Sequence, residues 1–105
     1  MSQQQWSKEE KQIARAAFDR ALARECAHIM ASVRERAGSI QAMDDVWKLS
    51  DYLNELGREL PEKYNYRYSR LTLVFGWLIN EGWLTIDELA GLAEDKLDPI
   101  RRMTR

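Results

Sequence analysis

The chain has 105 residues, the size of one domain, with 16 basic and 17 acidic residues for a net charge of -1, which exerts no overall pull toward nucleic acid or anionic lipid. Apolar residues make up 45% and charged ones 31%, a globular rather than a disordered composition. One Cys and one His exclude an internal disulfide and any zinc site built from Cys and His alone, and a lone Cys fits a reducing compartment.

The opening stretch, Met1 to Glu10, is polar and acidic and does not read as a secretory signal. Ser7 and Glu10 then form a capping box, in which the hydroxyl accepts from the Glu10 amide and the carboxylate reaches back to the Ser7 amide. Ile13, Ala17, Phe18, Ala21, Leu22, Ile29, Val33, Ala37 and Ile40 follow in steps that share one helical face. With no Pro or Gly before Gly38, the spacing predicts one helix of about 30 residues, near 45 Å long. Its far end projects beyond any core so small a chain can build, so it calls for a second chain.

Gly38-Ser39 marks a break. A second helix is predicted from near Ala42 to Asp44, with Asp44 and Asp45 suited to its positive end. Val46, Leu49, Leu53, Leu56 and Leu60 step by 3, 4, 3 and 4, a two-heptad seam. Trp47 and Tyr52 flank that seam, so the segment is apolar on more than one side. Gly57 weakens the helix and Pro61 is expected to close it. Tyr64, Tyr68, Leu71, Phe75 and Leu78 continue a helical period and predict a third helix, stopped at Glu81-Gly82. A strand over residues 71–75 is the weaker reading, because no partner strand is in sight. A second capping box, Thr85 with Glu88, opens a short helix holding Ile86, Leu89, Ala90, Leu92 and Ala93. Asp98-Pro99 reads as a cap followed by Pro at the first position of a last helix. The expected fold is all-α: a single helical domain, with stalk helices over about residues 7–60 and head helices over about 61–105. No stretch approaches the roughly 20 apolar residues of a membrane span, so a soluble cytoplasmic protein is expected.

No constellation in the chain suggests catalysis. His28 and Cys26 are two apart, a spacing that does not bring two side chains to one helical face. The acid pairs Asp44-Asp45 and Glu94-Asp95 are explained by helix starts, and Arg101, Arg102 and Arg105 by a helix end. No Gly-rich phosphate loop, metal spacing or other cofactor motif is present. Trp6 lies just outside the first cap and can fold back onto the helix start. Trp77 and Trp83 read as head core. Trp47, beside a leucine seam, reads as a dimer contact in preference to plain core. The seam and the long helix together predict a homodimer with Trp47, Leu49, Asp51, Leu53 and Leu56 at its interface.

The stretch Trp47-Lys48-Leu49-Ser50-Asp51-Tyr52-Leu53 resembles the fluorescence recovery protein family of cyanobacteria. The similarity extends through Trp6-Ser7, Phe18, Arg24-Glu25, Asp44-Asp45-Val46-Trp47, Lys63-Tyr64, Arg67, Ser69, Val74-Phe75, Glu81-Gly82, Glu88-Leu89 and Asp95-Lys96. The resemblance implies an all-helical homodimer with a long stalk and a small head. It further implies binding to the light-activated red form of the orange carotenoid protein. Such binding speeds the return to the orange form and release from the phycobilisome, with no covalent chemistry. The expected place is the cytoplasm, including the cytoplasmic face of the thylakoid membrane. The family's stalk motif is Trp-x-Leu-His-Asp-Phe-Leu followed by an Arg linked to activity. Trp47, Leu49, Asp51 and Leu53 match it and Tyr52 replaces Phe, whereas Ser50 stands for His and Gly57 for the Arg, with Arg58 one residue on. Leu73 replaces an aromatic of partner contact, and Pro99 falls where some members have Lys. The residues expected to meet the partner are Ser50, Asp51 and Arg58 on the stalk and Leu73 and Phe75 on the head. The four departures also fit a related dimeric helical adaptor with a different partner.

Overall fold

The computed structural model describes residues 5–105; residues 1–4 of the polar opening stretch lie outside them. Four α-helices are found among the described residues: α1 Lys8–Gly38, α2 Met43–Lys63, α3 Leu71–Glu81 and α4 Glu94–Met103, with a single 3-10 turn at Ile86–Leu89. Segment 71–75 is helical, as its period predicts. The molecule is elongated, 54 × 27 × 25 Å, because the 31-residue α1 runs its full length.

The α1 start is as expected: the Ser7 hydroxyl accepts from the Glu10 amide at 3.1 Å, and the Glu10 carboxylate accepts from the Ser7 amide at 2.9 Å. The first half of α1 belongs to the head. Ala14, Ala17, Phe18 and Ala21 are buried against Leu71, Val74, Phe75 and Leu78 of α3, Leu89 of the 3-10 turn and Ile100 of α4. Small alanines on α1 let the other helices approach closely, and the large side chains of α3 fill the space they leave. Trp6 folds back into this core, its ring 5.6 Å from that of Tyr68. Trp77 and Trp83 lie at its margin, half-buried.

Beyond Ala21 the picture changes. No residue of α2 is buried, and none of α1 after Ala21. The two helices lie side by side as an arm, tied by the Tyr52 hydroxyl at 3.3 Å from Ser32 Oγ and by the Arg36 guanidinium 3.8 Å above the Tyr52 ring.

Four element boundaries differ from those predicted. Pro61 does not close α2, which runs two residues further to Lys63; Pro in a last turn forfeits one hydrogen bond, and the helix continues past it. The third helix begins at Leu71, not Tyr64. Tyr64, Tyr66 and Tyr68 instead lie on an irregular loop and pack one by one, Tyr64 and Tyr66 edge-on to Phe18 at 5.4 and 4.9 Å. Their helical spacing is coincidental. The helix expected after Thr85 is one turn long: Ala90 leaves the helical region at ψ 134°, and Gly91 follows at φ 105°, a left-handed conformation that turns the chain away before Leu92. Finally, α4 starts at Glu94, so Pro99 sits inside it and Asp98 pairs with Arg102 rather than capping. The carboxylate that caps α4 comes from elsewhere: Glu10 Oε2 accepts from the Ala93 amide at 2.9 Å.

Candidate functional site

At 3.6 residues per turn, Met43, Trp47, Ser50, Asp51, Asn54 and Arg58 fall within an arc of about 100° on α2. All six are exposed, Met43 and Trp47 each at 59%. The opposite side of the helix carries Leu49, Tyr52, Leu56 and Lys63. These are half-buried and face α1: Leu49 shares a depression with Arg36 and Ser39, and Leu56 shares one with Glu25. Leu53, 44% exposed, lies between the two sides. Four of the expected contact residues, Trp47, Ser50, Asp51 and Arg58, are thus brought to one uncovered stripe. The leucines expected at the interface divide, Leu49 and Leu56 toward α1 and Leu53 toward the stripe.

The arm's free end is fastened by local chemistry. Asp45 accepts from the Gln41 and Ala42 amides at 3.0 and 3.2 Å. Those two bonds, with Lys48 nearby, hold its carboxyl below the usual range. Gly57 lies at the border of stripe and leucines. Arg58, turned 100° further round, stands within the stripe and makes no ion pair among the described residues.

In the head, the two residues expected to meet a partner part ways. Leu73 is exposed, whereas Phe75 is wholly enclosed. On α3 the inward positions are 71, 74, 75 and 78, and 73 is the outward one among them. Phe75 therefore holds the head together and offers no surface for contact. His28 lies 5.4 Å from the Trp83 ring, and Cys26 is half-buried and unpaired. Among the described residues no group of three or more His, Cys, Asp or Glu is placed to hold a metal ion. No helix there is long and apolar enough to cross a membrane.

Three ionic junctions tie the head together and fasten the base of the arm to it, and none was legible in the sequence. Lys96, with its side chain 2% exposed, reaches Glu10 at 3.0 Å and lies 5.0 Å above the Trp6 ring. Glu88 accepts two bonds from Arg24 at 2.8 Å and one from Arg20 at 3.2 Å. It also accepts from Thr85, whose hydroxyl donates to it, so only the carboxylate half of the predicted second box forms. Lys63 lies between Glu25 at 2.8 Å and Glu81 at 2.5 Å, and Glu25 also accepts from the Tyr64 hydroxyl at 2.8 Å. Burial and the adjacent Glu25 carboxylate push the Tyr64 hydroxyl well above its ordinary range. The capping-box pattern found Glu10 and Glu88, but their partners lie 60 to 90 residues away in sequence, where no local pattern points.

Both carboxylates are displaced. The Ser7 amide, together with Ala93 and Lys96, holds Glu10 down to about 2 against the opposing effect of burial. Arg24, with the Thr85 amide, holds Glu88 down to about 2. A carboxyl whose folded value is depressed contributes stability above its unfolded value and loses it as pH falls through the folded one. Acid unfolding is therefore expected between about pH 4.5 and 2, each group contributing on the order of 3 kcal/mol. Glu88→Gln should flatten that pH dependence by roughly half; an unchanged slope of stability between pH 5 and 3 would refute the assignment.

Comparison with known proteins places this geometry among relatives. The family model described as photoprotection regulator fluorescence recovery protein matches residues 6–104. The fluorescence recovery protein of Synechocystis sp. PCC 6803 is 39% identical over 100 residues, spanning 95% of this chain and 92% of that protein. The structure of the fluorescence recovery protein of Fremyella diplosiphon superimposes with a TM-score of 0.91 at 41% identity, over 94% of this chain and 97% of that one. The Synechocystis structure gives a TM-score of 0.90 at 38% identity with the same coverage.

Proposed function

Since the chain belongs to the fluorescence recovery protein family of photoprotection regulators, we propose that it binds the light-activated red form of an orange carotenoid protein as a homodimer. In this reading it hastens the return of that partner to the orange form and its release from the phycobilisome. It acts in the cytoplasm, at the cytoplasmic face of the thylakoid membrane. The observation that carries the reading is the uncovered stripe of α2: a Trp 59% exposed beside Asp51 and Arg58, on a helix with no buried residue. Apolar side chains left in water along one helix face are the mark of a surface that another chain covers.

A binder hastens a conformational reversion only if it holds the reversion-competent state more tightly than the open one. Two separate contact surfaces meet that requirement: the stalk stripe at Asp51 and Arg58, and the head around Leu73. One dimer gripping both domains of the partner makes their re-docking effectively intramolecular. Arg58, without an ion pair among the described residues, supplies the ionic contact.

The test is the rate of red-to-orange recovery in the dark, followed by visible absorbance. Adding the protein should raise that rate, and Arg58→Ala should lower the increment about tenfold, the size of one lost charge-assisted hydrogen bond. No acceleration by the wild-type chain overturns the carotenoid-protein reading. A dimer that leaves recovery untouched points instead to an adaptor for another partner, the reading that Ser50, Gly57, Leu73 and Pro99 favour.

A further inference from the structure

α2 carries the stripe with Trp47, Asp51 and Arg58, and α3 carries the exposed Leu73. In chain order the two helices are joined by residues 64–70, which form no helix. Lys63, the last residue of α2, joins them directly. Its ammonium donates to Glu81 at the end of α3 at 2.5 Å and to Glu25 of α1 at 2.8 Å. Among the described residues, the Glu81 contact is the one hydrogen bond or ion pair between α2 and α3. Each carboxylate is held from a second side. The Tyr64 hydroxyl donates to the other Glu25 oxygen at 2.8 Å, and the Trp83 indole N–H donates to Glu81 at 3.1 Å. The Lys63 and Glu25 side chains are 20% and 12% exposed, so water screens their charges little. At 1.5 Å per residue, Arg58 lies about 7.5 Å along α2 from Lys63, and Leu73 about 12 Å along α3 from Glu81. Lys63 is on the side of α2 that faces α1, so a second copy covering the stripe leaves the junction as it is.

We propose that Lys63 is a positioning residue: by bonding Glu25 of α1 and Glu81 of α3 at once, it fixes the separation between the α2 stripe and the head face around Leu73, so that one protomer presents both to a partner in a single geometry. The physical reason is charge. Two carboxylates stand within 3 Å of one ammonium, and without that ammonium they repel each other across the meeting point of α1 and α3. Two contact surfaces grip both domains of a partner together only when their spacing is set in advance, since ordering it at the moment of binding costs part of the gain. That use of the spacing rests on the function proposed above, whereas the spacing itself does not depend on it.

Two measurements on the full chain test it, one of them free of any partner. Spin labels on Glu55→Cys and Leu73→Cys, in a Cys26→Ser background diluted with unlabelled chain so that one protomer per dimer is labelled, report the spacing by double electron–electron resonance. Lys63→Met should at least double the width of the distance distribution, and Lys63→Arg, which keeps the charge, should restore it. Glu81→Ala breaks only the link from α2 to α3 and should broaden the distribution in the same way, which keeps the test open if Lys63→Met fails to fold. In the dark-recovery assay, Lys63→Met should lower the recovery increment at saturating protein about tenfold, the scale of a misplaced contact. The protein concentration giving half the effect should stay within about twofold, because the open red form engages one surface at a time. An unchanged distance distribution in Lys63→Met, or in Glu81→Ala, overturns the proposal. So does a Lys63→Met chain with a broadened distribution and an undiminished increment, or one whose affinity falls with its increment. A wild-type chain that does not hasten recovery overturns the carotenoid-protein reading, and the distance measurement then judges the junction by itself.

Discussion

Glu10→Leu is expected to lower the free energy of unfolding by about 3–5 kcal/mol, the largest loss of any single substitution outside the apolar core. Glu10 caps α1 through the Ser7 amide, caps α4 through the Ala93 amide and neutralises Lys96. Removing it strands two backbone donors and leaves an ammonium with a side chain 2% exposed facing the Trp6 ring, with only the longer 3.6 Å contact to Asp95 remaining. An unpaired buried charge costs far more than the pair ever contributes, because the pair has already met its desolvation cost. For a domain whose whole stability is about 5–15 kcal/mol, that is a third or more of it. Glu10→Leu combined with Lys96→Met removes both charges and should recover at least half of the loss. Urea denaturation at one fixed chain concentration measures both variants. A single variant within about 1 kcal/mol of wild type, or a double variant worse than the single, would show that the ion pair does not join the head as described.

The second large effect concerns association. Leu53→Glu and Trp47→Ala are each expected to weaken the proposed dimer by about 30-fold or more, corresponding to about 2 kcal/mol. Trp47 offers the largest exposed apolar area on the α2 stripe, and Leu53, between the stripe and the side facing α1, is 44% exposed. A carboxylate at position 53 would be desolvated on association. Neither substitution touches the head, because no α2 residue contributes to the buried core, so the helical content of the monomers should match the wild type. Sedimentation equilibrium at micromolar concentration reads the outcome. The wild type should sediment at twice the chain mass of 12.3 kDa and the variants should shift toward it. A wild-type chain that sediments as a monomer would end the dimer reading, and variants that stay dimeric would move the interface off this stripe.

Much of the fold can be read from local chemistry. The Ser7–Glu10 box, the break at Gly38-Ser39, the acidic start of α2 and the stop at Gly82 are each written in a few neighbouring residues, and each is found where the pattern puts it. Errors arise where a local pattern mimics another. Tyr64 and Tyr68 are spaced like helix positions, but the rings fill separate niches on Phe18 and Trp6, and packing overrules spacing. Pro61 and Pro99 read as boundaries, yet both helices pass through them, since the lost hydrogen bond is outweighed by contacts that proline does not affect.

Helix periods and caps are interactions within four or five residues, so the sequence by itself determined that this chain is helical, that its first helix is long and that α2 carries apolar residues on two sides. Which of those sides is covered is a different kind of question. Leu49, Leu53 and Leu56 make one apolar side and Met43 and Trp47 another, and only when α1 lies down against the leucines does Trp47 become the exposed residue and Leu49 the sheltered one. Phe75 and Leu73 are two apart and equally apolar, and the side of α3 that the head core covers decides that one is enclosed and the other is offered. The same holds for charge. Glu10, Glu25 and Glu88 look like ordinary surface acids until α4, α2 and the far half of α1 bring Lys96, Lys63 and Arg24 to within 3.0 Å of them. Those pairings join residues that lie 38 to 86 positions apart, and only the folded chain closes loops of that length.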